Sequence, residues 1–537
     1  MKYHLMRGIA PVLAIVLLTL CGCGAPVKSS AIPKISDIPS RTPEAAASPT
    51  VPAARERLPR PPFEAPVPTR AEPLAPGQSG QDPVTIQAAD AALYGSLRLS
   101  GDGGAGMFEQ KDPLDMLEFT VNLTYEGFYR LDFEAKSSGG YKENTVRIDG
   151  EPAGTLVTDS AEYEPSALQN IYLTKGEHTI ALTAVWGWIS VKSLTLTPQG
   201  TPDGNVYNVP AGLVNPNADD NALALMSYLA VNYGRVSLAG QQSQGDWQSD
   251  HGLFGGEAEH IYELTGKRPA VIGLDMIDYT PSRVANGARS TEVEAAIEAW
   301  ENNAIVTFCW HWNAPEQYIT GDWWSAFYTE HTEPGFFKEI MDGDDPEGYD
   351  ALIRDIDAIA AELTILRDAG VPVLWRPLHE ASGGWFWWGT DRESYLELYA
   401  LLYDRLTNLH NLTNLIWVWN GQHKNWYPGD NMADIIGEDV YAEQRSYASQ
   451  VNRFLTALSY TDAPKMITLS ENGVLFDPDL ASRDGSLWSW WCVWNGDFVS
   501  GESYTENEML RKVYNSELVV THDELPDLKT HPIYIDE

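Results

Sequence analysis

Residues 371–380 read VPVLWRPLHE, and this stretch decides the fold of the larger part of the chain. An apolar run ends here in the polar residues Arg376, His379 and Glu380. Such a run is typical of a buried parallel strand whose carboxyl end carries polar side chains. Seven more runs of this kind lie at 235–242, 269–276, 304–313, 415–422, 434–441, 465–473 and 487–498.

Helical patterns lie between these runs. Amphipathic segments occupy residues 292–302, 349–369, 394–410 and 443–459. Strands and helices that alternate in this way over about 300 residues predict a (β/α)8 TIM barrel, here over residues 218–537. An open, doubly wound sheet is the alternative, but no Gly-rich fingerprint follows the first run.

A different pattern precedes the barrel. Short β-type runs at 84–87, 116–121, 127–133, 145–148 and 178–182 alternate with Gly-rich turns. Many of them alternate apolar and polar residues, as half-buried antiparallel strands do. We therefore expect an all-β sandwich over residues 83–200, followed by a Gly/Pro/Asn-rich linker at 201–217.

The N-terminus has the order of an export signal. A basic start is followed by an apolar stretch at 9–20 and by Leu20-Cys21-Gly22-Cys23, which resembles a bacterial lipobox. We expect residues 1–23 to be a lipoprotein-type signal peptide, with Cys23 lipidated and the exported chain anchored to the membrane at the cell surface. An ordinary secretory signal is the alternative. Residues 24–82, rich in Pro, Ala and Ser, are expected to form a linker.

The charge balance narrows the possible partners. The 537 residues include 75 acidic and 36 basic ones, and the net charge of −39 repels nucleic acid and anionic lipid headgroups. Only four cysteines are present, which excludes a disulfide scaffold. Cys309 and Cys492 fall on the third and eighth runs, which are not neighbours in a barrel, so we expect them to be unbridged. We also expect a monomer.

Two glutamates end the fourth and seventh runs: Glu380, and Glu471 in the stretch SENG at 470–473. In a (β/α)8 barrel the carboxyl ends of the strands meet at the catalytic mouth. Two carboxylates there can cleave a glycosidic bond, one as the acid and the other as the nucleophile. This chemistry requires no metal or cofactor, and we expect none. The acidic stretch 342–347 is interpreted as a helix start with Asp345 as its cap.

Several of these motifs resemble glycoside hydrolase family 26, whose members are mostly β-mannanases. Residues 375–380, with GWFWWG at 384–389, resemble its acid/base segment, and 470–473 resemble its nucleophile segment. Further landmarks of the family lie in order at 240–242, 308–313 and 437–441. The resemblance implies that Glu380 is the general acid/base and Glu471 the nucleophile of a retaining double displacement.

The same resemblance implies further contacts at the site. His311 and His379 would line the subsite beside the cleaved bond, and a purely structural role for both is the alternative. Trp385 would pack under a sugar ring. Tyr441 would hydrogen-bond Glu471 and help to keep it ionised.

Tryptophans are the candidates for sugar platforms. Of the four in the eighth run we favour Trp494, which is nearest the carboxyl end of the strand. At the end of the sandwich, WGWISVKSLTL at 186–196 resembles the last strand of family 35 carbohydrate-binding modules. This resemblance implies that Trp186 and Trp188 face a glycan, with burial in the sandwich core as the alternative. Members of that family usually carry acidic residues for calcium in the first strand and near the end of the last, where this chain has QAAD at 87–90 and VKS at 191–193. The sequence departs from the family here and does not predict a structural calcium.

Together these predictions describe an endo-β-1,4-mannanase that acts on mannan, galactomannan and glucomannan, with β-mannan as the partner of both domains. A family 26 β-1,3-1,4-glucanase or β-1,3-xylanase is one alternative, because it would use the same two glutamates. A surface glycan-binding lipoprotein without activity is the other. The presence of both Glu380 and Glu471 favours an enzyme.

Overall fold

The structure is a computed structural model that describes residues 55–66, 82–106, 114–137, 140, 142–186, 188–243 and 256–536. The predicted signal peptide, Cys23 and most of the predicted linker at 24–82 lie outside the described residues. In the part of the chain that is described, no helix is long and apolar enough to cross a membrane.

One stretch of the predicted N-terminal linker is packed against the barrel domain. Strand β1 (Arg57–Pro59) pairs in parallel with Ile533–Ile535, near the other end of the chain. Arg60 forms an ion pair of 3.2 Å with Asp536, and Phe63 packs against the barrel core. Residues 57–63 are therefore part of the folded structure, which the Pro-rich composition did not predict.

Two antiparallel sheets form the predicted sandwich. Its strands are β2 (Val84–Gln87), β3 (Ala92–Tyr94), β4 (Arg98–Leu99), β5 (Ala105–Gly106), β6 (Met116–Leu123), β7 (Gly127–Ser137), β8 (Lys142–Ile148), β9 (Glu151–Thr158), β10 (Glu164–Leu173), β11 (Gly176–Trp186) and β12 (Ile189–Gln199). One sheet has the order β10-β7-β12-β5-β4, with β2 also beside β12, and the other the order β3-β6-β11-β8-β9. Leu131, Phe133 and Ala135 are buried because every second side chain of β7 points into the core.

Eight parallel strands, β14 to β21, close into the predicted barrel. The strands of this domain are β13 (Ser237–Leu238), β14 (Gly240–Gln242), β15 (Val271–Asp275), β16 (Ile305–Trp310), β17 (Val373–Pro377), β18 (Leu415–Trp419), β19 (Ile435–Val440), β20 (Met466–Asn472), β21 (Trp491–Val493), β22 (Val519–Val520) and β23 (Ile533–Ile535). Each of the eight predicted runs supplies one barrel strand, so the predicted fold class is confirmed. Cys309 and Cys492 are buried and unbridged, as expected.

The helices surround this barrel. They are α1 (Asp220–Asn232), α2 (Glu257–Thr265), α3 (Pro281–Ala285), α4 (Glu292–Glu301), α5 (Phe336–Met341), α6 (Pro346–Asp368), α7 (Arg392–Tyr403), α8 (Val451–Leu458), α9 (Pro478–Asp484), α10 (Asp497–Ser500) and α11 (Asn507–Tyr514). The side chain of Asp345 accepts a hydrogen bond of 2.9 Å from the backbone N–H of Gly348, and Pro346 is the first residue of α6. The predicted helix start at this acidic stretch is therefore confirmed.

The segment 201–217 is packed structure and not a free linker. Tyr207, Val209 and Ala211 are buried in the barrel core. The hydroxyl oxygen of Tyr207 accepts a hydrogen bond of 2.9 Å from the backbone N–H of Leu487. The burial of these three side chains among residues that are distant in sequence anchors a stretch whose Gly, Pro and Asn content predicted a linker.

The sandwich is attached to the barrel through helix α8. Val451, at the start of α8, is buried in the sandwich core, whereas Phe454 is buried in the barrel core. Next to it, the side-chain oxygen of Asn452 accepts a hydrogen bond of 2.8 Å from the backbone N–H of Gln169 in the sandwich. Such contacts fix the sandwich next to the sixth strand of the barrel.

Candidate active site

The two predicted catalytic glutamates lie together at the carboxyl end of the barrel. Glu380 follows the end of β17, and Glu471 lies on β20. Carboxylate oxygens of Glu380, Glu471 and Asp439 lie within 4.8 Å of one another, and all three residues are buried. So short a separation fits a retaining glycosidase, because an inverting enzyme leaves about 6.5–9.5 Å between its carboxyl groups for a water molecule.

The backbone that carries Glu380 has an unusual conformation. The φ angles of Leu378 and Glu380 are 51° and 53°, in the left-handed region that non-glycine residues seldom adopt. Two hydrogen bonds hold this turn: Glu380 N–H donates to the carbonyl of Asn420 at 2.7 Å, and Trp388 Nε1–H donates to the carbonyl of His379 at 2.8 Å. Strained backbone of this kind is concentrated at functional sites.

Two donors face the carboxylate of Glu471. Arg376 Nη2 donates to its Oε2 at 2.6 Å, and the hydroxyl of Tyr441 donates to its Oε1. The other arm of the guanidinium, Nη1, donates to Asp439 at 2.7 Å. Because a guanidinium and a hydroxyl both stabilise the charged form of a carboxylate, Glu471 is suited to act as the nucleophile.

Glu380 has the opposite surroundings. Burial, followed by the negative charge of Glu471, raises the pKa of Glu380 to about 7. Trp385 Nε1–H donates to its Oε2 at 2.8 Å, and Gln422 Nε2 lies 3.5 Å from its Oε1. A carboxyl group that keeps its proton near neutral pH is suited to act as a general acid.

The two predicted histidines are in contact beside this pair. His311 Nδ1 lies 2.5 Å from Oδ2 of Asp275, and His311 Nε2 lies 3.3 Å from Nε2 of His379. Burial lowers the pKa of His311, but the charge and hydrogen bond of Asp275 outweigh burial and raise it above its usual value. Burial and the charge of Arg376 hold the pKa of His379 well below its usual value. His311 can therefore donate to a neutral His379, and contact of either residue with sugar stays a prediction.

The tryptophans of the barrel that are candidates for sugar binding differ in solvent exposure. Trp488, Trp490 and Trp491 are fully buried core residues. Trp494 is partly buried, and its ring lies 5.8 Å from that of His311. Trp385 is 39% exposed although its indole N–H binds Glu380. Trp494 and Trp385 thus lie at the site with part of their surface exposed, whereas the other three are packed inside, and contact of either with sugar stays a prediction.

The tryptophans predicted to bind glycan in the sandwich lie at the end of β11 and directly before β12. Trp188 is 45% exposed, so it is not a residue of the sandwich core. Trp186 ends strand β11, and its backbone pairs with Glu143 of β8; its side chain lies outside the described structure. Glycan binding by both residues stays a prediction.

Several polar residues of the site were not predicted to have a role in it, among them Arg376. Asp275 is the last residue of β15, Asn420 follows β18 directly, and Asp439 lies near the end of β19. Asn420 Nδ2 donates to Asp439 at 3.0 Å and to Ser470 at 2.8 Å. Their position at strand ends, the same signal that singled out Glu380, could have identified them.

Two groups of side chains have the atoms that could hold a metal. Among the described residues these are Glu380, Asp439 and Glu471, and Asp275, Cys309 and His311. In the first group, Arg376 and Tyr441 already donate to the carboxylates. The arrangement places a carboxylate that accepts from two donors next to a carboxyl group whose pKa is raised, the kind of pair that glycosidic hydrolysis needs.

Comparisons with known proteins find mannanases that are similar to this chain. A mannan endo-1,4-beta-mannosidase of Thermothelomyces thermophilus is 38% identical over 90% of this chain and 96% of its own length. The crystal structure of a GH26-CBM35 beta-(1,4)-mannanase from Podospora anserina is 35% identical and covers 83% of this chain and 99% of that one, with a TM-score of 0.59. A beta-mannanase from a symbiotic protist of the termite Reticulitermes speratus, complexed with gluco-manno-oligosaccharide, is 32% identical over 59% of this chain and 98% of that one, with a TM-score of 0.54.

Two family models match the two domains. The model of glycosyl hydrolase family 26 matches residues 214–524, and that of carbohydrate binding module family 35 matches residues 83–199. The first match covers more than half of the chain and includes every residue of the carboxylate cluster. The chain therefore belongs to glycosyl hydrolase family 26 and carries a family 35 carbohydrate-binding module in front of its catalytic barrel.

Proposed function

We propose that the protein is an endo-β-1,4-mannanase that hydrolyses mannan, galactomannan and glucomannan with retention of configuration. The observation that carries this conclusion is the buried pair Glu380 and Glu471, whose carboxylate oxygens lie within 4.8 Å in a family 26 barrel. The similar protein from Thermothelomyces thermophilus, which this chain matches over 96% of that protein's length, is named a mannan endo-1,4-beta-mannosidase. The active-site residues described above all lie in the barrel domain, and we propose that the protein acts as a monomer.

Each of the two carboxyl groups has its own role in this proposal. In the first step Glu380 gives its proton to the glycosidic oxygen while an oxygen of Glu471 attacks the anomeric carbon. The bond to the leaving sugar breaks, and a glycosyl ester of Glu471 forms. In the second step the ionised Glu380 takes a proton from water, whose oxygen attacks the anomeric carbon and releases Glu471. Arg376 and Tyr441 stabilise the carboxylate of Glu471 before the attack and after its release.

The specificity is tested by the products formed from three polymers: β-1,4-mannan, lichenan and β-1,3-xylan. We expect short manno-oligosaccharides from mannan and much slower release of reducing sugar from the other two. Activity on lichenan or β-1,3-xylan alone would replace the mannanase proposal by the corresponding family 26 activity. Binding of mannan without any hydrolysis would indicate a glycan-binding protein.

We also propose that the sandwich binds β-mannan through Trp186 and Trp188. The exposed ring of Trp188 supports this proposal. Trp188→Ala is expected to weaken binding to insoluble mannan by about tenfold, because stacking of one aromatic ring on a sugar contributes on the order of 1 kcal/mol or more. Pull-down of the purified enzyme with insoluble mannan measures the effect. Tyr125→Ala, which removes another exposed aromatic ring of the sandwich, is the matched control, and equal loss in both variants would contradict the proposal.

We further propose that the chain is exported and anchored to a membrane through a lipid on Cys23. The sequence order of residues 1–23 supports this proposal. Cys23→Ser is expected to move the protein from the detergent phase to the aqueous phase in Triton X-114 partition, because the acyl chains provide the membrane affinity. Partition of wild type and variant into the same phase would contradict the anchor.

A further inference from the structure

Gln422 is close to Glu380, the proposed acid/base residue. It follows strand β18 and has a φ angle of 57°, in the left-handed region. Its Nε2 lies 3.5 Å from Oε1 of Glu380, while Trp385 donates to the other oxygen, Oε2. Each oxygen of the Glu380 carboxyl group thus faces one neutral donor.

Arg453 determines which way the amide of Gln422 points. Arg453 Nη2 lies 2.7 Å from the side-chain oxygen of Gln422. A guanidinium group has donors and no acceptor, so the amide oxygen must face Arg453. The amide nitrogen of Gln422 is thereby directed at Glu380. A free glutamine could turn its oxygen toward the same carboxylate, which would be repulsive.

Arg453 in turn is held by two carboxylates from different domains. Glu438 of β19, whose side chain is fully buried, lies 2.9 Å from Nη2, and it also accepts a hydrogen bond from Tyr460. Glu143 of sandwich strand β8 lies 3.6 Å from Nη1. A series of polar contacts therefore runs from the sandwich through Arg453 and Gln422 to Glu380.

We propose that Gln422 is a positioning residue for Glu380, and that the sandwich helps to hold it through Glu143 and Arg453. The amide N–H stabilises the carboxylate form of Glu380, which must take a proton from water in the second step. This inference rests on the proposed role of Glu380 as acid/base. It extends the function of the sandwich from binding glycan to supporting the catalytic residue.

The first test is Gln422→Glu, which keeps the size of the side chain and an acceptor for Arg453. It places a negative oxygen opposite Glu380 in place of a donor, and like charge favours the protonated form. The fall of kcat/KM at alkaline pH is expected to move upward by about one pH unit. The titratable groups that face Glu380 are Glu471, Arg376, His311, Asp439, Tyr328 and Tyr441, and this variant leaves them unchanged. If the pH profile of kcat/KM does not shift, the contact between Gln422 and Glu380 is refuted.

The second test separates positioning from folding by kinetics. With a 2,4-dinitrophenyl β-mannobioside the leaving group needs no acid, and kcat reports the second step. Gln422→Leu is expected to lower kcat about tenfold and to leave kcat/KM nearly unchanged, because only the base-assisted step loses its donor. An equal fall in kcat and kcat/KM would indicate a general structural role and would overturn the proposal.

The contribution of the sandwich is tested by a pair of matched variants. Glu143→Gln weakens the ion pair with Arg453, whereas Glu443→Gln weakens the ion pair of Glu443 with Arg147, another contact between the domains. On the activated substrate we expect Glu143→Gln to lower kcat about two- to threefold and Glu443→Gln to have no effect. Equal values for the two variants would refute the sandwich contribution.

Glu380→Ala distinguishes failure of this inference from failure of the proposed function. If Glu380→Ala still hydrolyses mannan like wild type, the assignment of the acid/base is wrong, and the role of Gln422 falls with it. If Glu380→Ala is inactive on mannan while the Gln422 variants behave like wild type, the proposed function stands and only the positioning role is refuted.

Discussion

Glu471→Ala is expected to lower kcat on mannan by at least about 10⁴-fold. Alanine has no oxygen to attack the anomeric carbon, so the glycosyl ester cannot form. Release of reducing sugar from mannan measures the loss. Glu397→Ala, which removes an exposed glutamate of helix α7, should retain wild-type activity. Circular dichroism of the Glu471→Ala protein checks that it remains folded.

Azide added to the Glu471→Ala protein provides the sharper test of the nucleophile. This small anion can enter the space that the carboxylate vacates and attack the anomeric carbon of an activated mannoside from the same side. Because only one displacement then occurs, the product should be an α-mannosyl azide, of inverted configuration. Nuclear magnetic resonance of the product identifies the anomer. Full activity of Glu471→Ala on mannan without azide would refute the assignment.

Glu380→Ala is expected to lower kcat on mannan by about 10²–10⁴-fold, the usual contribution of general acid catalysis. The first step on a 2,4-dinitrophenyl mannoside should be little affected, because dinitrophenolate leaves without a proton. The ratio of kcat/KM between the two substrates separates this loss from a general defect in folding or binding. Equal losses on both substrates would contradict the role of Glu380 as the acid.

The pH profile gives an independent measure of the same group. Glu380 must be protonated to act as the acid, and burial together with the charge of Glu471 raises its pKa to about 7. The kcat/KM of the wild type on mannan is therefore expected to fall as the pH rises through about 7. On the 2,4-dinitrophenyl mannoside, whose first step needs no acid, the kcat/KM of the wild type should lack this fall. A fall that persists with this substrate would have to come from another residue.

The sequence was sufficient to predict the architecture because that information is local. Each of the eight barrel strands is an apolar run with a polar end, and the alternation with helices follows from hydrophobic periodicity. The order of strands in a barrel then brings strand ends together, so Glu380 and Glu471 could be placed at one mouth without any structure. The resemblance to family 26 also predicted that Tyr441 hydrogen-bonds Glu471, and the structure contains this hydrogen bond.

The features that escaped prediction depend on contacts between distant parts of the chain. Pro-rich and Gly-rich composition predicted linkers at 24–82 and 201–217, yet β1 pairs with β23, and Tyr207 is buried in the barrel core. Asp275 and His311 form a hydrogen bond although they are 36 positions apart in the sequence. A local sequence pattern cannot predict such a contact. The division of the eighth-strand tryptophans into buried and accessible rings likewise depends on their neighbours in space.

The short helix α8 belongs to two hydrophobic cores, since Val451 is buried in that of the sandwich and Phe454 in that of the barrel. The sequence passes from one domain to the other near residue 200, but the folded cores of the two domains share helix α8. A barrel expressed without the sandwich would leave Val451 facing water and Arg453 without Glu143, and it should be less stable than the whole enzyme. Binding module and barrel are therefore expected to unfold as one cooperative unit.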